Sequence, residues 1–252
     1  ALVIGAEARA LGFKQAAARG GRFLLTLLPA LVLSYLVMGL VWPWGVADPL
    51  NPLRAVEYFS HFFEKPWKEM FDGAPVLVPD MPRSYVPTLF ALKMPELMLV
   101  LGVGGIAAAF AAAFRRDIAH RRRAVLLLLA IAATLPIALT VVAHPAMYNG
   151  IRHFVFVTPP IAVLAGWSCA WLFARALHMH HSVRVAFAAV ALAGFALPAI
   201  ELVRLHPYQY THFNRLAGGV QGADERYMLD YWGLAFKQAA QELRGRLTER
   251  ME

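Results

Sequence analysis

The stretch "YNGIRHFVFVTPP", residues 148 to 160, places Arg152 and His153 at the lip of a long apolar run. A guanidinium keeps its charge at any physiological pH and presents its donors in a rigid fork, so it grips a phosphate through two parallel hydrogen bonds. An adjacent imidazole adds a donor or an acceptor. The chemistry this pair points to is recognition of an anionic phosphate at the end of an apolar segment. A second reading stands beside it. An arginine at a membrane boundary also snorkels, laying its stem along apolar surface and its head among lipid headgroups. A histidine there is an ordinary interfacial residue, and position alone does not separate the two readings.

The apolar segments must therefore be located. The chain has 252 residues, of which 59% are hydrophobic and only 16% charged. A soluble domain carries about a quarter charged residues, and here the apolar residues come in blocks. Five blocks have the roughly 20-residue length that crosses a bilayer: Phe23 to Trp42, Glu96 to Phe114, Ala124 to Ala143, Phe154 to Ala174 and Val185 to Val203. Basic residues cluster before the first block (Arg9, Lys14, Arg19, Arg22), after the second ("RRDIAHRRR") and after the fourth (Arg175, Arg184). Basic excess marks cytoplasmic loops. The formal charge of +8 is read as this topology signal, with no nucleic-acid partner expected. The N-terminus is then cytoplasmic, and residues 43–95, residues 144–153 and the tail from Arg204 lie on the other side. The single cysteine, Cys169, excludes an intramolecular disulfide and a cysteine metal site. "HMHH" at 178–181 spaces His178 and His181 on one helical face, but no carboxylate accompanies them, and no metal is assigned.

The long loop 43–95 carries six acids and five bases, without positive bias. Within it Leu53, Val56, Phe59, Phe62 and Phe63 share one face, which predicts an amphipathic surface helix. A Pro-rich stretch, Pro75 to Pro87, leads to a short helix from Thr88 to Lys93 and re-entry at Pro95. Asp48 and Asp80 read as turn residues. In the tail, "HPYQYTHFN" reads as an extended surface segment, "AGGVQGA" as a flexible turn, and Leu234 onward as an amphipathic helix. The expected fold is an all-α polytopic membrane bundle, with residues 1–203 as its membrane part and 204–252 as a tail beyond it.

Taken in order, "WPWGVADPLNPL", "FSHF", "YNGIRHFVFVTPP", and "HPYQYTHFNRLAGGVQGADERYMLDYWG" after two more apolar blocks resemble the bacterial membrane glycosyltransferases of the family 39 type. These are related to protein O-mannosyltransferases and to the lipid A aminoarabinose transferase. The likeness covers nearly the whole chain but only the later half of such a protein. It implies a GT-C architecture in the plasma (inner) membrane, with a periplasmic or extracellular active site and a polyprenyl-phosphate-linked sugar as donor, and no cofactor or divalent metal. The acceptor is a lipid, glycan or protein.

The resemblance places the acidic catalytic base in a first outer loop upstream, so no base is assigned here, and the chain by itself is expected to be inactive without that missing N-terminal half. The chain opens without an initiator Met or a signal peptide and stops at Glu252 within a helical pattern, which fits that expectation. For the leaving phosphate, a preorganised cation is needed. Arg152 with His153 is the first candidate, and Lys65 and Arg83, with Lys68 and Lys93, follow. A transporter and a non-catalytic membrane scaffold are the competing readings. The absence of a visible internal repeat argues against the first of these.

Overall fold

A computed structural model describes residues 12–60 and 67–249. The described chain is mostly helical, and five of its helical segments are long and apolar enough to cross a membrane: Phe13–Val41, Glu96–Phe114, His120–Ala143, Arg152–Ala176 and His181–Arg204. The second coincides with its predicted block because Pro95 and Arg115 bracket it. The other four begin earlier than hydropathy alone indicates, at Phe13, His120, Arg152 and His181, since polar residues join their first turns. Compact packing divides the chain into two units, one holding residues 12–60 and 112–128, the other 67–111 and 129–249.

In the first unit, α1 (Phe13–Thr26) and α2 (Leu28–Val41) are separated only at Leu27. Pro29 follows at the start of α2, where its missing N–H and fixed φ suit a helix beginning. Two short helices, α3 (Pro43–Ala47) and α4 (Asn51–Ser60), complete this stretch. The carboxylate of Asp48 accepts from the Leu50 amide at 2.8 Å and pairs with Arg54 at 3.1 Å, which is the turn role read for it. Leu53, Val56 and Phe59 of α4 are exposed, forming the apolar face predicted from their spacing. Phe62, Phe63 and Lys65 lie outside the described residues.

The second unit opens with a β-hairpin, β1 (Lys68–Phe71) and β2 (Ala74–Leu77), paired antiparallel with Lys68 opposite Leu77. This departs from an all-helical expectation. Asp72 and Gly73 both take positive φ at its tip, the conformation a two-residue hairpin turn requires. A 3₁₀ turn at Val78–Asp80 leads to α5 (Tyr85–Lys93), which begins three residues before its predicted start. Helices α6 (Glu96–Phe114), α7 (His120–Ala143), α8 (Thr158–Ala176) and α9 (His181–Arg204) follow. A Cβ on Gly105 would come within 2.3 Å of the Leu164 carbonyl oxygen, and one on Gly102 within 2.8 Å of Ile161. Small residues thus let α6 approach α8 closely.

The tail differs from its predicted form. "HPYQYTHFN" is not an extended surface strand. It turns through a 3₁₀ segment at Gln209–Thr211, and Thr211, His212, Phe213 and Asn214 are buried. "AGGVQGA" contains a short helix, α10 (Gly219–Ala223), and α11 spans Phe236–Glu249. The burial has a polar cause. Asn214 donates through Nδ2 to the Ala91 and Met94 carbonyls, each at 2.7 Å, and its backbone N–H donates to Leu92 at 2.7 Å. The carbonyls at the end of α5, which no helical partner satisfies, thereby capture the tail.

Candidate functional site

Three segments that the charge pattern assigned to one side meet at one end of α6 to α9. They are residues 67–95, the connection 144–151 and the tail from residue 205. At their junction Asn149 and Gly150 both take left-handed φ, 55° and 72°. Two successive amides in this geometry form a concave pair of donors. The Asn149 N–H donates to Glu69 Oε2 at 2.7 Å, and the Gly150 N–H donates to the Tyr85 hydroxyl oxygen at 2.9 Å. The Tyr85 O–H in turn donates to Glu69 Oε1 at 2.5 Å. Glu69 is only 2% exposed, so the two hydrogen bonds that reach its carboxylate, from Tyr85 and Asn149, replace water it has lost. Burial, then the adjoining Glu69 charge, pushes the Tyr85 hydroxyl far above its ordinary pKa. It stays protonated and donating.

This turn aims the chain into a 3₁₀ segment, Arg152–Val157, that feeds α8. The Arg152 guanidinium stands 5.0 Å from the Tyr148 ring centre, 5.0 Å from Trp232 and 5.8 Å from Tyr231. Its Nε donates to His153 Nε2 at 3.2 Å, and the His153 ring lies edge-on to Tyr148 at 5.1 Å. Among the described residues Arg152 forms no ion pair with a carboxylate. Aromatic faces hold a guanidinium by cation–π attraction worth about 0.5–1 kcal/mol each at exposed sites while leaving its charge uncancelled. Tyr231 and Trp232 are held in turn by Asp230, whose carboxylate accepts from the Tyr210 hydroxyl and from the Leu234 and Ala235 amides at 3.1 and 3.0 Å.

Lys93, at the end of α5, is the second enclosed cation. Its Nζ lies 3.3 Å from the Tyr210 and His212 carbonyls and 3.9 Å above the Phe213 ring. Burial pushes its pKa down to about 8, with the Glu69 charge pulling the other way. Arg83 is engaged differently. Its guanidinium donates to the Val141 carbonyl and, at 2.8 Å, to the Val142 carbonyl, caring for unpaired groups at the end of α7. That role holds the helix end and does not direct the charge toward a ligand. Lys65 lies outside the described residues.

The sequence pattern singled out Arg152 and His153 but gave no role to Glu69, Tyr231 and Trp232, nor to the Tyr85 hydroxyl beside Glu69. The one local signal for the missed centre is the Asn-Gly dipeptide at 149–150, a strong marker of left-handed turns. Among the described residues no cluster of three or more His, Cys, Asp or Glu side chains is placed to hold a metal ion. His180 caps α9 by accepting from the Ser182 amide. Between α5, α6, α7 and α8 lies an apolar hollow of about 300 Å³, lined by Phe90, Met94, Val103, Ile137 and Ile161 among others. No family model, no curated protein and no solved structure matches the chain.

Proposed function

We propose that the chain is the later part of an integral-membrane glycosyltransferase that takes a sugar from a polyprenyl-phosphate donor, with Arg152 holding the donor phosphate. One observation carries the reading: a guanidinium ringed by Tyr148, Tyr231 and Trp232, unpaired with any described carboxylate, at the end of an apolar helix. In the proposed reaction an acceptor hydroxyl attacks the anomeric carbon and loses its proton to a base. The bond from that carbon to the phosphate oxygen breaks, and the phosphate leaves with the electron pair. Negative charge builds on the phosphate, where a preorganised cation acts most strongly. The rings hold the guanidinium in place before the reaction, and the Asn149–Gly150 turn fixes its approach. The apolar hollow below α5 offers room for part of an isoprenoid tail. No base is assigned among these residues.

The test is binding of farnesyl phosphate against farnesol, followed by tryptophan fluorescence. The phosphate should bind the more tightly, and Arg152→Ala should remove about tenfold of that advantage, as expected for one charge-assisted contact. Equal affinity for phosphate and alcohol would refute the assignment. In the longer protein the same substitution should abolish transfer, by about a hundredfold or more, with membrane insertion retained.

A further inference from the structure

A second site lies on the flank of the second unit, and none of the residues that line it takes part in the proposed phosphate site. Helices α6 and α9 touch where Gly194 meets Leu97; a Cβ on Gly194 would come within 2.4 Å of Leu97 Cδ2. Beside this contact runs an apolar groove of about 470 Å³ along Val100, Val190, Ala193 and Leu197. Val190, Val100 and Leu197 are exposed. From Val190 to Glu201 the groove follows about 16 Å of helix at the α-helical rise, which is about half of a ~30 Å hydrocarbon layer. An open apolar trough one leaflet long fits one acyl chain of a phospholipid.

The mouth of the groove is charged, and the charge selects the headgroup. Glu96, Glu201 and Arg215 line it. Glu96 Oε1 accepts from the Arg215 backbone N–H at 2.7 Å, so its charge is not cancelled by that contact. Glu201 lies 3.6 Å from the Arg215 guanidinium and 3.9 Å from His212 Nδ1. His212 is buried, and burial lowers its pKa, with Glu201 opposing. Two carboxylates therefore face one guanidinium, leaving a surplus negative charge beside an exposed Arg215. A headgroup carrying both an ammonium and a phosphate satisfies both signs, the ammonium against Glu96 and Glu201 and the phosphate toward Arg215. A lipid whose head is only anionic meets the surplus carboxylate as a repulsion. We infer that this groove, set in a membrane, binds an amine-headed zwitterionic phospholipid of the phosphatidylethanolamine class.

The experiment places the chain in nanodiscs with equal phosphatidylethanolamine and phosphatidylglycerol of identical acyl chains, then measures lipid retained through detergent extraction by native mass spectrometry. The ethanolamine lipid should be retained about three- to fivefold over the glycerol lipid, the range of an exposed ion pair. Glu201→Gln, or Glu96→Gln, which keeps an oxygen to accept from Arg215, should bring the ratio toward one. Ala193→Phe should fill the groove and remove retention of both lipids. The inference is overturned if the glycerol lipid is retained equally or better, if no lipid is retained, or if both charge-neutral variants keep the wild-type ratio. Retention unaffected by Ala193→Phe would show only unspecific boundary lipid and would also overturn it. None of these outcomes depends on whether Arg152 binds a phosphate.

Discussion

The helices α1 and α2 and the polar end of the second unit solve opposite problems. Along α2, Leu31, Val32, Leu33, Leu36 and Leu40 are all exposed, and no residue of that helix is buried. Its stability in a membrane would come from the solvent: apolar side chains meet apolar lipid, and every interior backbone group bonds within the helix. At the polar end, Glu69, Thr211, His212 and Asn214 are buried, and each must find a partner within the protein or lose free energy. The first arrangement tolerates change at almost any position. The second specifies a particular geometry, because a carboxylate, a phenol and two amides satisfy one another only in that arrangement.

Breaking the contrast at its strongest point gives the largest expected effect. Glu69→Ala leaves the Tyr85 hydroxyl and the Asn149 amide without their acceptor. It should destabilise the second unit by about 2–4 kcal/mol, measured as a lowered unfolding midpoint in detergent and faster proteolysis between residues 144 and 151. A midpoint within error of wild type would show that the buried carboxylate is dispensable.

The next test sharpens the contrast through pH. The pKa of Lys93 is lowered from 10.5 in the unfolded reference to about 8 in the folded chain. Between those values the unfolded chain binds more protons than the folded one, so stability rises with pH across that window, and below about 8 the full cost of burying the charge is present. Thermal midpoints should rise from pH 8 toward pH 10, and Lys93→Met should flatten that slope. A slope unchanged in Lys93→Met would assign it to other groups.

The smallest effect is expected where lipid is the only partner. Leu33→Ala should shift the unfolding midpoint by an amount within the scatter of surface substitutions, about 0.5 kcal/mol. A cost of the size seen on truncating a packed core leucine would mean that this face of α2 is covered by protein.

The sequence was most legible where one physical effect dominates. Blocks of apolar residues located the five long helices, and Pro95 and Arg115 delimited α6 to the residue. Position at the end of such a block singled out Arg152. The surrounding residues were hidden because their roles depend on distant partners. Glu69 sits in "WKEMF", where an acid in a polar loop reads as solvated, and the amide that donates to it, Asn149, arrives 80 residues later. Tyr231 and Trp232 carry no local signal in the tail, and only the fold brings them to Arg152. The tail looked extended because its polar and aromatic residues show no period. Asn214, docking onto spare carbonyls of α5, buries it for reasons that no local pattern records.

The polar junction is built from pieces far apart in the chain, and this sets an order of events during synthesis. When residue 69 leaves the ribosome, its partner amide at residue 149 has yet to be made, and at about 5–20 residues per second the carboxylate waits on the order of 4–16 seconds. Asn214 is made later still, after the last long helix. Until then the carbonyls of α5 lack their Asn214 partner, so this junction of the second unit closes late, as a clasp over helices already made.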